Sequence, residues 1–200
     1  MKPRKPLAAR AAPSYFPADK VVTGWDARHL AGHPELEEYH FIGADFGGAD
    51  FSGLRFADCR FERCNLSSAR VAGTAFQNVA FLECKLLGVQ FTACRDLLFG
   101  VHFEQCQLRY ASFAGRKMPG TRFGRCQLDE ADLVGADLSG AVFEGCSLAG
   151  AVFENTRLLG ADFTTATGFV IDPEINQLQG ARFALPGLLG VVAKYGLVVE

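Results

Sequence analysis

The sequence predicts an all-β solenoid: a chain coiled into a four-sided rod and closed by a short C-terminal helix. Three observations predict it. The motif Phe61-x-x-Cys64-x-Leu66 returns as Phe81…Cys84…Leu86, Phe103…Cys106…Leu108, Phe123…Cys126…Leu128 and Phe143…Cys146…Leu148, at steps of 20, 22, 20 and 20 residues. Between these landmarks a large apolar residue recurs every fifth position. These centres run from Phe41 to Phe91, jump seven residues, and resume from Leu98 to Phe163, making 25 in all. Glycine stands two positions after the centre in 13 of the 25 pentads.

A helix cannot use this spacing. Five residues at 3.6 per turn advance the chain by about 140°, so an apolar stripe would smear around the axis. Extended chain can use it, because residues two apart share a face. The centre and the residue two before it therefore point inward. That earlier slot is Ala, Cys, Thr or Val in 21 of 25 pentads, small residues that fit between bulky neighbours. The glycines, with Asp58, Asn78 and Asn155, fall where a corner needs a positive φ. Four sides of five residues close one coil of 20. Coils stacked at about 4.8 Å give a rod of about seven coils and about 33 Å.

Taken in order, residues 1–20 read as a basic, proline-rich disordered tail, without the apolar segment of a secretory signal. Residues 21–38 read as an N-terminal cap, with Trp25 plugging the open end of the aromatic column. His29, His33 and His40 read as polar cap residues, since no acidic or cysteine partner falls at metal-ligand spacing. Residues 39–183 carry the repeat. The jump from Phe91 to Leu98 places a bulge at a corner and leaves two charged residues, Asp96 and Arg116, in inward slots 20 apart. Two charges in an apolar wall favour a partly enclosed ion pair. Beyond Phe163 an irregular last coil runs to Phe183. Residues 184–200 read as a helix between Pro186 and Gly196, followed by a short strand. Leu185, Leu188, Leu189, Val191, Val192 and Tyr195 exceed what capping one coil requires, so a two-fold dimer contact is expected there.

Seven cysteines are present. Cys64, Cys84, Cys106, Cys126 and Cys146 recur on one side of successive coils, and Cys59 and Cys94 hold inward slots. The repeat makes them small hydrophobes in a buried column rather than ligands or disulfide partners, which suits a reducing cytoplasm. Formal net charge is −2, and no apolar run reaches the roughly 18 residues of a membrane span. Neither nucleic acid nor membrane is an expected direct partner. No catalytic set, metal site or cofactor motif stands out: the glycines obey the corner rule, and inward thiols are poorly placed for chemistry. An enzyme is not expected.

The pentads Ala44-Asp-Phe46-Gly-Gly, Ala131-Asp-Leu133-Val-Gly and Ala136-Asp-Leu138-Ser-Gly resemble the pentapeptide-repeat family over residues 39–165. The resemblance implies a right-handed quadrilateral β-helix. Members related to bacterial quinolone-resistance proteins are dimers, joined at their C-terminal ends, that imitate duplex DNA and bind DNA gyrase or topoisomerase IV. The resemblance thus implies a DNA mimic and possible quinolone resistance. The alternative is a scaffolding rod that binds proteins without mimicry.

Charge discriminates between these. Duplex DNA carries roughly one negative charge per 1.7 Å, which the whole chain cannot approach. Residues 36–125 hold nine acids and eleven bases. Residues 126–165 hold Asp129, Glu130, Asp132, Asp137, Glu144, Glu154 and Asp162 against Arg157 alone, a net of −6. In a C-terminal dimer this acidic belt would lie at the middle of the rod.

Overall fold

The computed structural model describes residues 15–197. Ten short strands follow one another: β1 (Val21–Thr23), β2 (Glu35–Glu37), β3 (His40–Ile42), β4 (Arg55–Ala57), β5 (Arg60–Glu62), β6 (Ala75–Gln77), β7 (Val79–Leu82), β8 (Val101–Glu104), β9 (Arg122–Gly124) and β10 (Val142–Glu144). Among the described residues one helix, α1 (Leu188–Val192), lies near the C-terminus between 3-10 turns at Leu185–Gly187 and Ala193–Tyr195.

Every strand pair is parallel and offset by about one coil, so the chain winds forward and never turns back. The first side is a seven-stranded sheet, β1-β3-β5-β7-β8-β9-β10, with Phe41 level with Phe61, Phe61 with Phe81, Phe81 with Phe103 and Phe103 with Phe123. Single bridges carry this side onward through Val142, Asp162 and Arg182. The second side is a chain of such bridges, Asp26–Asp45–Asn65–Lys85–Gln107–Gln127–Ser147–Thr167. The third holds Asp50–Arg70 and then Gln90–Ser112–Asp132–Val152. The fourth is the three-stranded sheet β2-β4-β6, resumed as Lys117–Asp137–Arg157–Gln177.

The interior is the column that the five-residue period demands. Phe41, Phe61, Phe81, Phe103, Phe123, Phe143, Phe163 and Phe183 stack with centroids 4.6 to 5.4 Å apart. Stacking at this distance matches the strand spacing, so the ladder and the rings reinforce one another. The corners are met by more than glycine. Asp58, Asn78 and Asn155 take φ near 50°, as do Arg63, Glu83, Gln105 and Arg125. A side chain in that region costs about 1 kcal/mol, which the packed column and the ladder outweigh.

Both ends differ from the expected outline. Residues 21–38 are part of the coil and not a separate cover: β1 pairs with β3, β2 pairs with β4, and Leu36 is wholly buried. Alternating Glu35-Leu36-Glu37 satisfies the same inward/outward rule as the pentads, without their small residue. Residues 15–20 are ordered as well, with Phe16 against His40 at 4.9 Å and Lys20 3.6 Å from Glu38; residues 1–14 of the expected tail lie outside the described residues. Trp25 packs edge-on to Phe41 at 5.7 Å and stacks on His29, beside Tyr39. His29 completes a capping box with Asp26, and His40 Nε2 lies 3.0 Å from Glu62.

At the other end α1 closes the rod, and Gly196 ends the helical segment with φ 61°. Of the strand expected at Leu197–Val199, only Leu197 is described, and it is exposed. The helix sits close against Phe169: the Gly190 carbonyl accepts from the Ile171 amide at 3.1 Å, and a Cβ on Gly190 would lie 2.1 Å from the Phe169 carbonyl oxygen. Lys194 then ties the helical segment to Asp172 (2.6 Å) and Glu174 (2.7 Å), with the Tyr195 hydroxyl donating to Glu174.

Candidate functional site

The inward slots show why cysteine and threonine recur. Cys64 Sγ donates to the Phe41 carbonyl at 3.4 Å, Cys84 to Phe61, Cys106 to Phe81 and Cys146 to Phe123. Thr74 Oγ1 reaches Phe51 (2.7 Å) and Thr156 Oγ1 reaches Leu133 (2.9 Å) in the same way. These slots thus supply a small donor to the carbonyl of a centre in the previous coil, a second bond where, as at Phe51 and Leu133, a backbone amide already reaches it. All seven cysteines are free and buried. Burial pushes the Cys59 and Cys94 thiols up to about 12 and those of Cys84 and Cys106 higher still. Hydrogen bonding from the preceding thiol, together with burial, raises Cys126 and Cys146. Cys64 is lowered, through the hydrogen bond from Cys84. Among the described residues no cluster of His, Cys, Asp and Glu could hold a metal ion, and no helix is long and apolar enough to cross a membrane.

The acids of residues 126–165 are divided among all four sides. Glu144 and Asp162 lie on the first, Asp129 and Glu130 at the end of the second, Asp132 and Glu154 on the third, Asp137 on the fourth. Several are also spent locally. Glu144 pairs with Arg122 and Asp162 with Arg182 at 3.2 Å. Asp132 accepts from Ser112 (2.8 Å) and the Val134 amide, Asp137 from Ser139, and Asp129 from Ser147 and the Ala149 amide. Glu130 accepts from the Tyr110 hydroxyl. Asp137 further stands between Lys117 and Arg157 in its ladder. Lower on the first side, Glu62 faces His40, Arg60 and Arg63, and Glu104 pairs with Arg125. Burial against Phe16 and the strand edge lowers the His40 pKa. The result is a mixed-charge surface rather than a single anionic face, because the acids fall on all four sides and several of them face a base.

The insertion lies elsewhere than the apolar count suggested. Leu98 is not a centre: it is 69% exposed, with φ 57°. The pentad rhythm runs from Phe91 to Asp96 instead. Cys94 fills the inward slot, the Arg95 amide donates to the Thr74 carbonyl, and the Phe99 amide closes the corner on Asp96. A charged side chain in the centre position turns outward, and the two added residues, Phe99 and Gly100, follow before Val101 rejoins the rule. Lifting the chain here ends the β2-β4-β6 sheet. Phe99 swings partly into the vacated core, 6.4 Å from Phe91.

Arg116 repairs the gap. Its side chain is only 4% exposed, and its guanidinium donates to the carbonyls of Cys94 and Arg95 at 2.9 Å each. It also lies 4.1 Å over the Phe99 ring. The expected ion pair with Asp96 forms at 2.8 Å, but Asp96 is 91% exposed and does not occupy an inward slot. The buried cation is therefore held chiefly by backbone carbonyls. Beside the lifted segment a groove of about 400 Å³ opens, floored by Phe99, Val101, Met118 and Pro119. Sequence reasoning missed this groove, although the 22-residue step marks its place.

At the C-terminal end Leu185, Leu188, Leu189, Tyr195 and Leu197 are exposed. Val191, expected with them, instead packs against the core, since α1 must turn one face onto Phe169; Val192 is half-buried.

Parallel rungs one coil apart, a stacked phenylalanine interior and positive-φ corners define a β-solenoid repeat protein. The pentapeptide repeat region model matches residues 35–113 and the eight-copy pentapeptide repeats model matches residues 106–145, so the chain belongs to the pentapeptide-repeat family. Among solved structures it resembles trypsin-treated QnrB1, a plasmid-mediated fluoroquinolone resistance protein, at 21% identity and TM-score 0.49, covering 90% of this chain and 97% of that one. It also resembles HetL, involved in heterocyst differentiation regulation in Nostoc sp. strain PCC 7120, at 19% identity and TM-score 0.44, covering 80% and 92%. A thylakoid-lumen pentapeptide repeat protein of Arabidopsis thaliana matches at 22% identity and TM-score 0.21, covering 66% and 69%. No curated protein sequence matches.

Proposed function

We propose that the protein is a non-catalytic, cytoplasmic protein-binding rod that works as a two-fold dimer joined through its C-terminal end. The observation that carries this reading is the cluster of exposed Leu185, Leu188, Leu189, Tyr195 and Leu197 on and beside α1, where the solenoid ends. An apolar patch at a closed end is the surface a second copy covers most economically, because one patch then serves both partners. The seven unpaired, buried thiols support a reducing compartment. Light scattering tests the pairing: Leu188→Arg with Leu189→Arg should halve the mass, and an unchanged mass rejects the contact.

A second reading, a DNA mimic that binds DNA gyrase or topoisomerase IV and protects it from fluoroquinolones, keeps one observation in its favour. The excess of acids in residues 126–165 would fall at the centre of such a dimer. Against it stand their distribution over four sides and the arginines that face Glu144 and Asp162. A mimic needs phosphate-like charge along one track. A gyrase supercoiling assay decides: the scaffold reading expects neither inhibition nor quinolone protection, and either effect would establish the mimic.

A further inference from the structure

The groove beside the lifted corner joins its apolar floor to a rim of Arg55, Asp58, Gln77, Asn78 and His102. Arg55 is already answered: it lies 3.7 Å from Glu35 and donates to Gln77 Oε1 at 3.1 Å. One acceptor is not. Asn78 donates to Asp58, yet its own Oδ1 is buried with no hydrogen-bond partner among the described residues. A buried acceptor calls for a donor.

The wall around this groove is also more covered than outward walls elsewhere on the rod. Ala57, Ala75 and Ala80 face outward in their rungs, yet each is at most 7% exposed and none belongs to the core cluster. Ala72 and Ala149 hold the place of Ala57 in their own pentads and are exposed. The chain itself approaches this wall from below. Phe16 packs on His40, and His40, Arg60, Ala80 and His102 stand level in successive rungs of the first side. Three rungs put His102 about 14 Å above His40. Five extended residues reach up to about 17 Å. Counted back from Tyr15, that brings Arg10 beside Asp58 and Asn78, which precede Arg60 and Ala80. Leu7, three residues further on, then reaches the apolar floor.

We propose that the occupant is this chain's own Leu7-Ala-Ala-Arg10, from the residues outside those described. Leu7 sits over Phe99 and Met118, and the Arg10 guanidinium donates to Asn78 Oδ1 beside the Asp58 carboxylate. Ala8 and Ala9 are small enough to pass along the alanine wall between them. The pairing supplies the missing donor and removes the floor from water. It also makes the groove a self-occupied docking site, open to other apolar ligands only when the segment leaves. Nothing in it depends on the dimer or on the rod's partner.

Paramagnetic NMR on the full chain tests it. Methionine occurs twice in the sequence, at 1 and at 118, so methyl-labelled methionine gives Met118 on the groove floor a signal of its own. With the native thiols buried, a nitroxide is placed on Ala8→Cys. It should broaden the Met118 methyl beyond detection, and Leu7→Asp with Arg10→Glu should restore the sharp signal. These substitutions lie outside the repeat, so the melting curve should not change. The Leu188→Arg/Leu189→Arg variant should show the same broadening, which separates this result from the fate of the dimer. A Met118 signal that stays sharp, or is broadened equally in the Leu7→Asp/Arg10→Glu chain, overturns the proposal. Broadening seen only between chains, in mixtures of nitroxide-labelled and methyl-labelled protein, gives the groove to a second copy and overturns it as well.

Discussion

Removing the Arg116 guanidinium should destabilise the rod far more than removing its acidic partner. Arg116→Ala deletes two hydrogen bonds from a charged donor to buried carbonyls of Cys94 and Arg95, each worth about 1.5 to 3 kcal/mol. It also deletes the contact over Phe99, worth about 1 kcal/mol. The pair with Asp96 adds little, because that carboxylate is 91% exposed and water screens it; exposed pairs contribute about 0 to 1 kcal/mol. The expected loss is therefore about 4 to 7 kcal/mol for Arg116→Ala and under about 1 kcal/mol for Asp96→Ala. Urea unfolding followed by Trp25 fluorescence and by circular dichroism would measure both. Hydrogen exchange across residues 94–101 would localise the effect, since a solenoid can open part-way at a weakened coil. Equal losses for the two variants would refute the reasoning: the ion pair, and not the carbonyl bonds, would then hold the gap closed. A third variant, Arg116→Met, fills the same space without charge. It should recover part of the loss but leave faster exchange at the Cys94 and Arg95 corner, because those carbonyls stay unpaired.

Three further outcomes follow from the column and its ends. Phe123→Ala, wholly buried between Phe103 at 5.4 Å and Phe143 at 5.0 Å, should cost about 3 to 5 kcal/mol in urea unfolding, and Phe183→Ala, at the end of the stack, clearly less. Thr156→Val keeps the shape but removes one of the two hydrogen bonds on the Leu133 carbonyl, which the Ala136 amide still serves, for an expected loss of about 1 kcal/mol, whereas Thr164→Val on the surface should be nearly silent. The C-terminal latch should weaken in acid. Lys194 lowers the Asp172 and Glu174 pKa values below their usual 3.8 and 4.5, so their contribution is complete above those values and is lost as pH falls through the depressed ones. NMR signals of residues 188–195 should broaden on acidification well before those of the central coils; a Lys194→Ala variant with the same pH response would refute the latch.

Much of the rod was legible because a five-residue period leaves the backbone little choice. Phe41 through Phe163 fall where counting puts them, and Asp58, Asn78 and Asn155 turn the corners their side chains tolerate. Counting failed where a charged residue, Asp96, holds a centre position and an apolar one stands two places on. Leu98 continued the apolar rhythm on paper, yet the chain follows the hydrogen-bonding rhythm through Cys94 and Asp96 and places the spare residues afterwards. Glu35-Leu36-Glu37 was hidden for the opposite reason: it forms a rung with no small residue to announce it.

The sequence by itself determined the repeat, its inward residues and the closing helix, since burial acts locally and each pentad states its own inside and outside. Which outward charges share a side, whether Asp96 meets solvent, and that Arg116 bonds carbonyls one coil below were decided only in the folded rod. Those contacts join residues about 20 apart in sequence, and their geometry depends on how one coil lands on the next.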